Sequence, residues 1–243
     1  AQIVPYLVLV NASMDQQNLD AAKRYYEEAR LLKPDDRVLA KAGVAIEFAD
    51  VRVAMGAQDY NAAREKIAPL LLREPDNTRL LSLVVELDIR DEQYLEAAKI
   101  LKQIELIDAQ HPIVMVLKGD LAKSQQDWLG AKEAYASSWK QNPNNLVADQ
   151  LYNILGRLGD TKAQGEHLQH WLELFPSSEK AMLLQAMSYQ EQGQRNQAVG
   201  LYEKLLETQG DNVTALNNLG WIYFEKGDKQ ALVTLAKAAE LAP

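Results

Sequence analysis

Glu166, His167 and His170 fall together in the stretch EHLQH, and on a helix Glu166 and His170 would stand one turn apart. Two imidazoles this close are the nearest thing to a metal site in the chain. A site would still need a third or fourth ligand and groups to orient them, and His111, the remaining histidine, is remote in sequence. With no cysteine, thiolate nucleophiles, disulfides and cysteine-ligated zinc are all excluded. That absence is compatible with an oxidising or a reducing compartment. Gly156, Gly159 and Gly165 lack the preceding strand and the Lys-Ser/Thr pair of a phosphate-binding loop. Serine, histidine and aspartate do not occur in the contexts that place a hydrolytic nucleophile. The residues therefore predict no enzyme activity, no metal and no cofactor.

The elements that carry these side chains repeat. Turn positions fall at Pro243, Gly210, Pro176, Pro143, Ala109 and Pro75, with steps of 33, 34, 33, 34 and 34. The next turn proline, Pro34, lies 41 residues earlier, one period plus seven. Seven residues are close to two helical turns, so the insertion predicts a longer helix between about Asp36 and Gly56 whose apolar face keeps its direction. Twelve residues before the turn stands a small side chain: Ala22, Ala63, Ala97, Ala131, Ala198 and Ala231. Eight before it stands a bulky one: Tyr26, Ile67, Leu101, Tyr135, Leu168, Tyr202 and Leu235. Small facing large lets two helices approach and then fixes them. Ala131 is thus placed at a close approach, with Lys132 beside it in solvent.

Helix boundaries are equally explicit. A proline ends a helix and a following Asp, Asn or Ser caps the next at Pro34-Asp35-Asp36, Pro75-Asp76-Asn77, Pro143-Asn144-Asn145 and Pro176-Ser177-Ser178. Gly159-Asp160 and Gly227-Asp228 predict tight turns inside a period, glycine supplying the positive φ. Alternating β-branched runs are nearly absent, and no linker or low-complexity tract marks a boundary. The expectation is an all-α chain of about seven helix-turn-helix repeats.

The clearest copy of the repeated phrase, ALNNLGWIYFEKGD from Ala215 to Asp228, closed by Ala238 and Pro243, resembles the tetratricopeptide repeat. The resemblance covers essentially the whole chain and implies a right-handed superhelical α-solenoid. Its repeats would span about 3–36, 37–77, 78–111, 112–145, 146–178, 179–212 and 213–243 as one domain. In that family the first helix of each repeat lines a concave groove and the second faces outward. Carried over by register, the groove would present Arg79, Ser82, Glu86 and Arg90 in repeat three, Asp120, Lys123 and Ser124 in repeat four, and Gln150, Ile154 and Arg157 in repeat five. Repeat six would add Lys180, Leu183, Met187 and Gln190. Repeat seven would add Thr214, Asn217, Trp221 and Phe224, the last two an aromatic anchor of the kind that dominates interfaces. The same register puts His167 and His170 on an outward, exposed helix.

Both ends bear on the extent of the chain. Ile3 to Val10 is apolar but far too short to cross a bilayer, and it lacks the basic start of a signal peptide. Tyr6 and Leu9 fall in register with Leu216 and Leu219, as a first helix. An apolar first helix and a terminal turn proline without a polar capping helix predict a piece of a longer repeat protein.

Charge narrows the partner. Lys and Arg number 26 against 34 Asp and Glu, a net charge of −8. With no basic cluster, nucleic acid and anionic lipid surfaces are poor matches. The expected partner is a protein segment, peptide or helix, in the groove. The carboxylate clamp of chaperone-binding relatives is not matched, because no three successive repeats supply its Lys/Asn, Asn and Lys/Arg set; Asn217 and Asn218 come nearest. The final stretch from Asn217 and the phrase GDTKAQGEHLQHWLELFP resemble repeats of bacterial proteins associated with exopolysaccharide export and the PEP-CTERM sorting system. That resemblance implies an envelope or periplasmic scaffold. A cytoplasmic adaptor and direct polysaccharide binding are the alternatives; against the latter, Trp128, Trp139 and Trp171 fall on second helices, leaving Trp221 alone to face inward.

Overall fold

The computed structural model describes residues 3–242, among which there are fourteen helices and no strand. They run as successive hairpins. The first three pair Val4–Asp15 (α1) with Leu19–Leu32 (α2), Arg37–Gly56 (α3) with Tyr60–Arg73 (α4), and Thr78–Arg90 (α5) with Tyr94–Ile107 (α6). Ile113–Ser124 (α7) and Trp128–Gln141 (α8) follow, then Asn145–Arg157 (α9) and Thr161–Leu174 (α10). Glu179–Glu191 (α11) and Arg195–Thr208 (α12) precede Val213–Glu225 (α13) and Gln230–Leu241 (α14). The helices form two compact units, Ala1–Leu117 and Lys118–Pro243. In the first, α1 to α6 each pack on the next; in the second, α8 to α14 do the same, so each unit is an α-repeat stack.

One backbone device makes every hairpin. A single left-handed residue ends each first helix: Gln17, Gln58, Glu92, Gln126, Gly159, Gly193 and Gly227, all with φ between 57° and 74°. The amide that follows donates five residues back, as from Asp59 to the Ala54 carbonyl at 2.9 Å and from Asp127 to the Ala122 carbonyl at 2.8 Å. These bonds satisfy carbonyls that the helix end would leave orphaned. The donor residue then caps the next helix: Asn18, Asp59, Asp127 and Asp160 accept from the amides of Ala21, Ala62, Gly130 and Ala163. Only three of the seven left-handed positions are glycine, so the geometry is imposed elsewhere by the hydrogen bonds rather than by the side chain.

Between hairpins the expected caps form, Asp36, Asn77, Asn144 and Ser178 each accepting from the first turn of the next helix, and Asn212 does the same for α13. The seven-residue insertion lies inside α3, which has 20 residues against 14 in its partner α4.

Packing follows the small-against-large rule. The six alanines at the small position are buried. Opposite the bulky position lies a glycine in several repeats: a β-carbon at Gly119 would stand 2.5 Å from the Tyr135 ring, and one at Gly220 2.7 Å from Leu235. Repeat five inverts the sizes. Gln164 takes the small position and fits because Gly156 faces it, which frees its amide to donate to the Tyr152 carbonyl at 3.1 Å.

Candidate functional site

In the first unit, Asn77 fixes the rotation of α5 by accepting from the Arg79 and Leu80 amides at 3.0 and 3.2 Å. Leu80, Leu81, Val85 and Leu87 are then buried, and Arg79, Ser82, Glu86 and Arg90 follow one another along a different face at helical spacing. With Phe48, Arg52 and Met55 from α3, and His111 and Ile113, these four line a cleft of about 440 Å³. The Arg79 guanidinium lies over the Phe48 ring at 5.0 Å. Arg90 lies over Tyr60 at 5.3 Å and donates to its hydroxyl at 2.9 Å. Ser82 is buried and donates back to the Arg79 carbonyl at 2.8 Å, so its hydroxyl already has an acceptor. His111 is a structural residue: its Nδ1 accepts from the Ile113 amide at 3.3 Å, which leaves Nε2 as the protonated nitrogen facing the Thr78 hydroxyl at 3.4 Å.

The second unit treats the corresponding positions differently. Lys123 reaches Asp120 at 3.4 Å and donates to the Gln150 side chain at 2.9 Å. Tyr135 donates to the same Asp120 carboxylate at 2.6 Å. Burial, reinforced by the Asp120 charge, pushes the Tyr135 phenol far above its ordinary range, so it stays a donor. Arg157 stacks 5.8 Å over Trp128, and Lys180 stands 3.9 Å from Asp149. Gln190 accepts from the Tyr202 hydroxyl at 2.9 Å and, with Met187, Glu191 and Asn218, lines a depression of about 360 Å³. Ile154 is in the core at 2% exposure, while Leu183 and Met187 pack half-buried against the core. Thr214 and Asn217 are exposed. Trp221 and Phe224 are 51% and 61% exposed, with ring centroids 5.5 Å apart.

Two expectations are corrected. His167 is not exposed helix surface: it is 8% accessible, its Nε2 lies 2.9 Å from the Ala148 carbonyl, and Trp139 meets it edge-on at 5.2 Å. The repeat register places it on an outer helix, but the tryptophan of the preceding repeat covers it. His170 is exposed and takes the Trp139 indole N–H at 3.4 Å. Lys132 is not simply solvated either; it pairs with Asp160 at 3.1 Å. Among the described residues no cluster of three metal-ligating side chains occurs, and no helix is long and apolar enough to cross a membrane.

Family models described as tetratricopeptide repeat match residues 5–36 and 183–243. The hairpins between these segments share their turn, caps and packing with the matched ones. The chain is a tetratricopeptide-repeat protein. It is similar to the solved tetratricopeptide repeat protein from Parabacteroides merdae at 13% identity and a TM-score of 0.59, covering 99% of this chain and 93% of that one. It resembles Pseudomonas aeruginosa pilF at 17% identity and a TM-score of 0.59, with 88% and 94% covered. YrrB, described as a tetratricopeptide protein with an unusual peptide-binding site, aligns at 17% identity and a TM-score of 0.52, with 73% and 92% covered. At these identities the likeness is one of fold. A comparison with curated proteins gave no match. As a tetratricopeptide-repeat protein the chain is a protein-interaction scaffold, and no catalytic family is indicated.

Proposed function

We propose that the protein holds a segment of a partner protein, extended or helical, against its first helices, and does so within a bacterial envelope assembly that secretes or modifies exopolysaccharide. The observation that carries the binding reading is the exposure of Arg79, Arg90, Trp221 and Phe224 on first helices whose opposite faces are packed into the core. Large aromatic and arginine side chains left in solvent on a rigid element are the composition of interface anchors. A peptide-binding protein of the same fold supports the reading by analogy. The envelope setting rests on the likeness of the final repeat and of repeat five to export-associated repeats.

Charges at these positions have mixed sign, Arg79, Arg90, Lys123 and Arg157 with Glu86 and Asp120, which suits a partner carrying both charges better than a uniform polyanion. A saccharide groove would want free aromatic faces, but Trp139 and Trp171 are buried and Trp128 lies under Arg157. Pull-down from bacterial envelope extract should recover partners with the intact chain and lose them with the Arg90→Glu/Arg157→Glu/Trp221→Ala variant. Recovery by both would place the binding surface on the second helices. Partners recovered only from a cytoplasmic extract would replace the envelope setting with an adaptor role, and an acidic polysaccharide bound without protein would overturn the scaffold.

A further inference from the structure

We infer that the cleft of the first unit is a site for an acidic peptide segment that carries an apolar side chain next to its carboxylates. The inference rests on the scaffold reading and names the chemistry of what is held. In a chain of net charge −8, three arginines, Arg52, Arg79 and Arg90, converge on one cleft of about 440 Å³. That volume lies within the roughly 300–1,000 Å³ of ligand pockets. Several other cations of the same unit are engaged by carboxylates: Lys23 and Lys66 by Asp50, Arg64 by Asp88 and Asp91, and Arg73 by Glu47. Among the described residues Arg52 makes no ion pair, and Arg79 and Arg90 lie against the Phe48 and Tyr60 rings.

Their posture favours carboxylates. The Phe48 and Tyr60 rings lie 5.0 and 5.3 Å from the Arg79 and Arg90 guanidinium carbons, an aromatic contact that limits where each guanidinium can go. Arg90 gives one of its five donors to Tyr60. A guanidinium held in plane recognises a carboxylate through two parallel hydrogen bonds. Glu86, the acidic side chain on the wall, has a partner of its own. Between the charges, Met55, Leu83 and Ile113 are half-buried and offer an apolar seat. A single-stranded nucleic acid would need free aromatic faces for its bases, and here the arginines cover them.

A random peptide library displayed against the intact chain tests this. Selected peptides should be rich in Asp and Glu beside Leu, Ile or Phe, and their Lys-substituted counterparts should not bind. Arg52→Gln and Arg79→Gln should each weaken a selected peptide about tenfold, the loss of a charge-assisted hydrogen bond. Arg73→Gln, on the same unit but outside the cleft, should leave binding unchanged. Thermal midpoints of the variants separate lost binding from lost folding, and Arg52, which makes no ion pair among the described residues, carries the decision if Arg79→Gln unfolds. Selected peptides without an acidic bias, or insensitive to Arg52→Gln, would overturn the acidic site while leaving the scaffold standing. Tighter binding of a single-stranded oligonucleotide than of any selected peptide would also overturn it. No selected peptide at all would overturn both readings.

Discussion

The two units carry the same hairpin and furnish its first-helix surface differently. In the first, Arg79 and Arg90 of the cleft lie over the Phe48 and Tyr60 rings. In the second, Lys123 and Lys180 face Asp120 and Asp149, Arg157 lies over Trp128, and the Trp221 and Phe224 pair is exposed. A shared repeat therefore fixes where side chains stand, but the neighbours one repeat away decide whether a charge is available to a partner.

The largest effect that would sharpen this comparison concerns packing. Gly43 and Gly119 both face a tyrosine, with a β-carbon 2.5 Å from the Tyr26 hydroxyl in one case and from the Tyr135 ring in the other. Tyr26 meets the clash with its half-buried far end and can swing; Tyr135 is fully buried and held by Asp120. Gly119→Ala should cost about 1–3 kcal/mol as an overpacked core, and Gly43→Ala clearly less. Ala131→Leu belongs to the same class as Gly119→Ala, whereas Lys132→Leu, which loses only a half-exposed pair with Asp160, should shift the denaturation midpoint little. Equal midpoints for the members of either pair would break the assignment.

Acid should separate the units next. Burial, opposed by the Ala148 carbonyl and aided by His170, holds His167 below its ordinary value of 6.5. The unfolded chain then binds the proton that the folded one refuses, so stability is complete above pH 6.5 and falls as pH drops below it. In the first unit, burial works against the Asp50 carboxylate, but hydrogen bonds from Lys23 and Lys66 outweigh it and hold it below 3.8. Its contribution is complete above that value and is lost as pH falls through the lower folded value. Hydrogen exchange followed against pH should show α9 and α10 losing protection before α3 and α4, with the first loss removed by His167→Gln. Simultaneous loss in both units would contradict this order.

The smallest effect concerns the turns. Left-handed backbone costs a side chain roughly 1–2 kcal/mol, which glycine avoids while losing more entropy on folding. Gln126→Gly and Gln58→Gly should therefore stabilise by less than about 1 kcal/mol, and Gly159→Ala should destabilise by about 1 kcal/mol. Calorimetric midpoints would decide it, and a loss of stability in both glutamine variants would mean that their side chains do more than the turn.

Most of the fold was legible in the sequence because period, turn chemistry and small-against-large spacing are local properties. The seven-residue insertion into α3 could be placed for the same reason. The cleft was half legible. Register supplied Arg79, Glu86 and Arg90, but Arg52 lies in the lengthened α3, beyond the span that the repeat template describes, and the aromatic supports come from other helices. Phe48 and Tyr60 stand roughly thirty residues from the arginines they hold, a distance at which no motif is visible. His167 was misplaced because the covering Trp139 comes from the previous repeat. Positions on a surface repeat with the period; partnerships across repeats do not.

Photo-crosslinking tests the central claim most directly. A benzophenone side chain placed in turn at Met55 and Glu86 on the first helices that line the cleft, and at Lys99 and Lys102 on a second helix of the same unit, would be irradiated with a library-selected peptide bound. Adducts from the first-helix positions alone are the predicted result. Adducts from Lys99 or Lys102, with none from Met55 or Glu86, would contradict a partner held on the first helices.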